Sequence, residues 1–359
     1  MVLEGCRYKV RNISVIHVDN SYVRDGEIDA AALTATTDVT EAVKDRLEQT
    51  KVDAGKAYET ARLASCPDIS PLHANLGAFK EWLGIYKTLA PLPGNSFYEL
   101  GGINAKAVEL FQDAGITSID DIPESLEVSK TINNQLRAYR NNGPIIDQQR
   151  IKQFLDSLEF PLYFFDYETM GSLVPQFDGM RPYVQYPFQY SLHVLDSPEA
   201  ELRREEYLHD EKSNPAGSLV AAMQSHFGQS GTVLAWNMSF EKGCNDRLAE
   251  FVPEAAEFLR YINERMVDLM VPFSSGSYID HRFRGSASIK NVLPVMCPEL
   301  SYKDLGIQEG QAASRMWTET VLDDKHEADK TQILSDLREY CQLDTLAMVE
   351  IYRKLKDLI

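Results

Sequence analysis

No stretch of this 359-residue sequence approaches the run of about 18 apolar residues that a membrane-spanning helix needs, so no transmembrane segment is expected. The opening residues, Met1-Val2-Leu3-Glu4-Gly5, lack both the basic and the apolar portions of a secretory leader. A cytoplasmic location is the expectation that follows. Cysteine is scarce and never falls in a CxxC pair: Cys6, Cys66, Cys244, Cys297 and Cys341 are odd in number and far apart. That pattern suits a reducing compartment and argues against a zinc ribbon or an iron–sulfur cluster. The seven histidines never recur at HxxxH spacing, so any bound cation is expected to meet oxygen ligands. Positive charge is also in short supply, with 36 Lys and Arg against 54 Asp and Glu, a net charge of −18. A broad nucleic-acid-binding surface needs clustered basic residues to neutralise phosphates, and that class is disfavoured. An enzyme that meets nucleic acid in one cleft remains open, because divalent cations held on carboxylates supply positive charge locally.

What the chain does have is an ordinary globular composition, 44% hydrophobic and 25% charged, over a length that accommodates two domains. Residues 8–18 (YKVRNISVIHV) read as a strand, Asp19-Asn20 as a turn, and Ser21-Tyr22-Val23-Arg24 as the returning strand, closed by Asp25-Gly26. Residues 38–64 read as a helix with Thr40 as its N-cap. This opening unit looks too small to hold a core of its own. Residues 76–150 read as a helical connector, with Asn75 capping AFKEWLGIYKTL and Pro91, Pro93 and Gly94 breaking the chain. Within it, Gly101-Gly102-Ile103-Asn104-Ala105-Lys106 leads into AVELFQDAGI and a short helix near Ser118-Ile119. A glycine-containing turn between short helices resembles a helix-hairpin-helix, whose amides can hold phosphate, but a plain helical connector is the preferred reading.

The pattern changes after Asn141-Asn142-Gly143-Pro144. Residues 160–165 (FPLYFF) form a continuous apolar run, the mark of a central strand buried on both faces. Residues 186–196 and 202–208 read as the next strands. Asn214-Pro215 opens a helix, residues 232–236 (TVLAW) form a fourth strand, Ser239 begins another helix, and a long helix spans about 328–356. The fold class is therefore α/β, a mixed sheet flanked by helices, with a smaller N-terminal α+β and helical region.

Three acidic elements stand out. Asp166-Tyr167-Glu168 follows the apolar run, and residues two apart in a strand face the same side. A D-x-E triplet alone is weak, since Asp25-Gly26-Glu27 is another that reads as a turn. Burial sharpens the first one, because an unpaired carboxylate beside an apolar strand is costly. Next comes Asn237-Met238-Ser239-Phe240-Glu241, which brings an acid to the sheet edge at a helix start. Glu241 is two residues after Ser239, one short of capping-box spacing. Finally, Tyr340 and Asp344 share a face of the last helix at i and i+4. Each element has a plainer reading: exposed strand-end acids, a surface glutamate, a Tyr–Asp hydrogen bond.

Together, D-x-E, N-x-x-F-E and Y-x-x-x-D in this order resemble the DnaQ-like 3′→5′ exonucleases of the RNase H-like superfamily, in the DEDDy subgroup whose third motif carries tyrosine. The resemblance covers about residues 155–357. PFQYSLHV (187–194), Ser286-Ala287-Ser288-Ile289-Lys290 with Val292-Leu293-Pro294, and YCQLDTLAMVE (340–350) are similar to a bacterial family of predicted exonucleases joined to RecB-type nuclease domains. The resemblance implies that Asp166, Glu168, Glu241 and Asp344 coordinate two Mg²⁺ or Mn²⁺ ions and that Tyr340 orients the attacking water. It implies that Thr169, Met170, Asn237, Phe240 and Lys290 border a single-stranded DNA or RNA substrate, with Asp268 supporting the site or capping the next segment. Under it, residues 1–75 are a remnant resembling the tail of a RecB-type domain, 76–150 the connector, and 151–359 the exonuclease domain. No second nuclease site is expected, because the upstream portion of a RecB-type domain that holds the catalytic acids and lysine is not in this sequence, and no iron–sulfur cluster, because no cysteines follow Cys66 as its partners. One departure is Glu241, where most such enzymes carry Asp. It leaves room for a catalytically inactive interaction module as the alternative. An endonuclease and a helical nucleic-acid adaptor are further alternatives, and no protein partner is legible.

Overall fold

The structure, a computed structural model, describes residues 2–71 and 79–359, so the expected cap at Asn75 lies outside the described residues. The chain divides into two compact units, residues 1–91 with 172–184, and residues 92–171 with 185–359. This differs from the three-part division read in the sequence: residues 92–150 cluster with the sheet, and 172–184 with the N-terminal residues. No helix among the described residues is long and apolar enough to cross a membrane.

In the first unit, strand Ser14–Val18 pairs antiparallel with Thr34–Asp38, Ser14 opposite Asp38 and Val18 opposite Thr34. The returning strand expected at 21–24 is thus displaced, and the first strand starts at Ser14 rather than Tyr8. The reason is local. Asp19 Oδ1 accepts from the Ser21 amide and hydroxyl, turning the chain away from the ladder. The Arg24 amide then donates to the Met180 carbonyl at 3.0 Å, and the Gly179 amide to the Arg24 carbonyl at 2.8 Å. The following helix, Thr40–Ala61, is capped differently from expectation. Val39 is the cap residue, and Asp38 Oδ1 takes the Thr40 amide at 2.8 Å. Thr40 Oγ1 is occupied by the Ile13 amide. Thr40 is the one residue this helix buries.

In the second unit, helix Ala105–Asp113 is capped by Asn104, and helix Lys130–Arg140, unassigned from sequence, by Ser129. Phe97, Val108, Phe111, Ile132 and Leu136 are buried along this stretch, with the rings of Phe97 and Phe111 5.1 Å apart. The Gly101 amide donates to Gln135 Oε1 at 2.8 Å, and a Cβ there would overlap the Arg284 carbonyl. That amide is therefore spent on packing, which favours the connector reading over phosphate binding.

Five strands form the sheet, in the spatial order Arg203–Leu208, Tyr186–Leu195, Leu162–Met170, Thr232–Ala235, Met266–Asp268. The first three are mutually antiparallel, and the last two run parallel to Leu162–Met170 and to each other. Met266–Asp268 went unread in the sequence because three residues carry no periodicity. Alternation assigns the faces. Tyr163, Phe165 and Tyr167 pack with Leu219, Met223 and Leu248 of helices Ala216–His226 and Ser239–Phe251. Leu162 and Phe164 pack with Met348, Ile351 and Leu355 of the closing helix, Lys330–Lys356. Asp166 and Glu168, next in register, share that second face.

The closing helix is seated by polar groups that alternate along strand Tyr186–Leu195, which is buried at every position. Gln189 Nε2 donates to the Leu337 carbonyl at 2.9 Å, and both Ser191 and His193 meet Thr345 Oγ1 at 2.8 Å. Burial, with Arg204 and Arg353 nearby, lowers the His193 imidazole to about 4, so it is neutral there. Ser191 lies opposite Asp166 and Gln189 opposite Glu168 in the register. The bonds that fix the helix are therefore next to the acids.

Candidate metal centre

Strand Leu162–Met170 outruns its parallel neighbour. Thr232–Ala235 pairs with it only at Leu162, Tyr163 and Phe164, so Asp166 and Glu168 stand beyond the last parallel pairing, inside rather than at the end of their own strand. Ligands of open α/β sheets gather at the carboxyl ends of parallel strands, where a neighbour stops and leaves a crevice. Glu168 is buried, while Asp166 keeps a partial opening to solvent.

Glu241 reaches the same place from a turn. After strand Thr232–Ala235, Asn237 adopts a left-handed conformation (φ 69°), and its amide donates to Asp268 Oδ1 at 3.0 Å. Asp268 Oδ2 takes the Met238 amide at 3.3 Å, and Oδ1 also takes that of Met270. Asp268 thus holds the turn that leads into Glu241, and it meets the Met270 amide without capping helix Val271–Ser274. Helix Ser239–Phe251 begins immediately, with no side-chain cap, so Glu241 is not bound into a capping box. Its side chain is buried, and Oε2 has no hydrogen-bond partner. An orphaned carboxylate oxygen costs free energy unless a proton or a cation meets it.

The closing helix adds Tyr340 and Asp344. A residue not singled out in the sequence, Tyr302, donates its hydroxyl to Asp344 Oδ1 at 2.6 Å. Its ring centroid lies 6.0 Å from that of Tyr340. No motif announces Tyr302; it comes from a short turn, Tyr302–Asp304, that tertiary packing brings in. Cys341 was also passed over. Its Sγ and one oxygen each of Asp166 and Glu168 lie within 4.8 Å of one another, so the expectation of oxygen ligands alone omitted a nearby sulfur. Gly310 opens helix Gly310–Trp317 beside Glu168, where a Cβ would lie 3.8 Å from Oε2.

The acids sense one another. Burial, then the charges of Asp344, Glu241 and Glu168, raise Asp166 well above the carboxylate range. Burial and Asp344 do the same to Glu168, against an opposing pull from Lys290. Burial pushes Glu241 up to about 8, with Asp268 adding to it. Asp344 rises to about 6 through burial, offset by the Tyr302 hydroxyl and Lys290. Four carboxyls from three elements are thus each destabilised as an anion, chiefly by burial, and Asp166 feels the charge of the other three. The orphaned Glu241 oxygen and this shared repulsion suit the carboxyl set to divalent cations.

The remaining expected residues fall on several elements. Lys290 is near enough to act on Glu168 and Asp344. It sits in the first turn of helix Ile289–Met296 rather than in the loop read from the sequence, and the residues before that helix are held by the Trp236 indole donating to the Ala287 carbonyl at 3.0 Å. Asn237 and Phe240 are exposed beside Glu241. Thr169 donates to Gln185 Oε1 just past a bulge in the ladder. Met170 is buried, 3% exposed, opposite Tyr186, so it belongs to the core beneath the site rather than to an open substrate surface.

Residues 163–288 match a family model described as a domain of unknown function (DUF2779), a span that holds Asp166, Glu168 and Glu241. Among curated proteins, the chain is 27% identical over 241 residues to an uncharacterised protein of Mycoplasma pneumoniae, covering 62% of this chain and 36% of that one. An uncharacterised protein of Ureaplasma parvum is 25% identical over 256 residues, 65% of this chain and 37% of the relative. One of Mycoplasma genitalium is 23% identical over 242 residues, 62% and 36% respectively. The chain therefore matches little more than a third of the length of these relatives. No solved structure matches it.

Proposed function

We propose that the second unit is a cation-dependent 3′→5′ exonuclease of the RNase H-like, DnaQ-like kind, acting on single-stranded DNA or RNA ends. The observation that carries the reading is that Glu168, Glu241 and Asp344 all lie near enough to act on Asp166, with a buried Glu241 oxygen left without a partner. The sheet supports it too. Three consecutive antiparallel strands, two parallel ones and a closing helix bearing the last acid are the arrangement the resemblance implies.

Under this reading the four carboxylates hold two Mg²⁺ or Mn²⁺ ions, which when bound supply Lewis-acid charge at the scissile phosphate and an acidified water. The chain's own groups do the rest. The carboxyls give up their protons on loading, so occupancy rises with pH. Tyr340 is 4% exposed and stays protonated, its phenol raised by burial and then by Asp344, Glu168 and Asp166. It orients the attacking water by a hydrogen bond without taking its proton as a phenolate would. Lys290 adds positive charge beside Glu168 and Asp344 and meets a phosphate. Phe240, 37% exposed, offers a ring face to the terminal base, with Asn237 at its edge. The products are nucleoside 5′-monophosphates.

Incubation with 5′-labelled single-stranded DNA and RNA, in Mg²⁺, Mn²⁺ or chelator, tests this directly. A ladder shortening from the 3′ end, absent with chelator, is the expected result. Intact substrate in every metal would leave the inactive module as the better reading, and cleavage of a circular substrate would point to an endonuclease.

A further inference from the structure

We infer that Cys341 is a ligand in waiting, and that Asp166, Glu168 and Cys341 form a mixed carboxylate–thiolate subsite for Zn²⁺-class cations. This rests on the reading of the carboxylates as a cation centre, and it adds a selectivity that the four acids alone do not have. Among the described residues, no other three donors from His, Cys, Asp or Glu lie so close together. Cys341 follows Tyr340 and precedes Asp344 by three positions, so the closing helix presents the sulfur and the Asp344 carboxylate on adjoining parts of one face.

The approach distances are compatible with coordination. A four-coordinate zinc, with bonds of about 2.3 Å to sulfur and about 2.0–2.2 Å to oxygen, sets neighbouring donors roughly 3.3–3.7 Å apart. Donors already within 4.8 Å need close by only about an ångström, well within carboxylate rotation. The present partner of the sulfur is weak: Sγ stands 3.9 Å from the Asp166 carbonyl. A buried cysteine is ordinarily a small apolar filler. Cys297 fits that description, enclosed in the apolar cluster under the closing helix. Cys341 differs in having two carboxylate oxygens as neighbours.

The chemistry then favours borderline and soft ions. Thiolate sulfur selects Co²⁺ and Zn²⁺ over Mg²⁺ and Mn²⁺, which prefer six oxygens. On binding, the S–H bond breaks as the sulfur–metal bond forms, a metal-bound water departs, and the proton passes to solvent water. Zinc in this subsite takes a lower coordination number than magnesium requires. It therefore displaces the hydrolytic ions and stops the reaction, while the protein stays folded.

The test uses the full chain, reduced and stripped of metal, titrated with Co²⁺. The wild type should develop a near-ultraviolet sulfur-to-cobalt charge-transfer band together with visible ligand-field bands. Cys341→Ser should keep the ligand-field bands and lose the charge-transfer band. Cys244→Ser should keep both, which excludes the other buried thiol of this region. Displacement of Co²⁺ by Zn²⁺ should weaken by about tenfold or more in Cys341→Ser. Cys341→Ala, checked by circular dichroism, separates loss of the ligand from loss of the fold. Co²⁺ bound by the wild type without a charge-transfer band overturns the inference and leaves the nuclease reading intact. The band present with no hydrolysis in any metal would do the reverse. Failure of the wild type to bind Co²⁺ removes both.

Discussion

Two strands of this chain carry alternating β-branched or aromatic residues and meet opposite fates. Ser14–Val18 leaves Val15 49% and Ile16 73% exposed, and its neighbouring helix buries a single residue. Tyr186–Leu195 is buried at all ten positions, polar ones included. The difference lies in what each strand is offered by distant parts of the chain. Gln189, Ser191 and His193 are tolerable inside because the closing helix presents the Leu337 carbonyl and Thr345 to them. The hairpin is offered mainly its own turns and the 172–184 segment, which supplies backbone hydrogen bonds. A buried framework of that kind can hold destabilised carboxyls in place. The hairpin has no such reserve.

The largest expected effect sharpens this comparison at the site. Asp166→Ala should lower hydrolysis by several kcal/mol of transition-state stabilisation, on the order of a thousandfold or more. The fold should survive, with an unchanged or raised melting temperature, because a repelled, half-buried acid is removed. Single-turnover hydrolysis and thermal melts read the two consequences separately. Retained activity under Mn²⁺ would take Asp166 out of the proposed centre.

Within the same strand, Phe164→Ala tests the framework. Phe164 is fully buried between the sheet and Tyr352 of the closing helix. Truncation should cost about 3–5 kcal/mol in urea denaturation. A cost below about 1 kcal/mol would mean that the sheet is no better packed than the hairpin, and the contrast would fail.

Next is the effect of pH. The carboxyl of Glu241 ionises near 4.5 when the chain is unfolded and at about 8 when buried. The protonated form favours the folded state, so its contribution is fully present below about 4.5 and is lost as pH rises through 8. In chelator, the melting temperature should therefore fall between pH 5 and pH 8, with a smaller step near 6 from Asp344. Glu241→Gln should flatten the slope, and Mn²⁺ should restore the high-pH melt of the wild type. A flat profile in chelator would mean that Glu241 is already solvated. A smaller effect belongs to Tyr302→Phe, which removes one hydrogen bond to a carboxylate worth about 1.5–3 kcal/mol. It should move the pH midpoint of activity upward while leaving substrate KM little changed.

The sheet and its acids were legible in the sequence for a physical reason. A strand buried on both faces is a continuous apolar run, and carboxylates beside such a run demand an explanation. Asp166 and Glu168 were found that way, Glu241 from its place at a helix start and Asp344 from its spacing to Tyr340, and all three others act electrostatically on Asp166. Tyr302, Cys341 and the Met266–Asp268 strand were not found, because each acquires its role only from packing. A lone tyrosine, a lone cysteine and three residues of strand have no period to detect. The hairpin misled in the other direction: YKVRNISVIHV has a stronger strand signature than the TATTD that pairs with its end. The turn chemistry of Asp19 and Ser21 decided the partner, and alternation does not report it.

The smallest expected effect bears on that hairpin. Ile16 is paired with Thr36 yet almost three-quarters exposed, so its side chain contributes little transfer free energy to the fold. Ile16→Thr keeps the β-branch, and with it the χ1 preference that suits a strand. It exchanges only an exposed ethyl group for a hydroxyl. Stability should therefore change by less than about 0.5 kcal/mol, read as an unaltered urea midpoint. The partner substitution Thr36→Ile, which sets two large apolar side chains side by side on one face, should be equally mild or slightly stabilising. A loss of 2 kcal/mol from Ile16→Thr is the cost of an interior position. It would place this face of the hairpin among the packed surfaces and erase the distinction between the two strands.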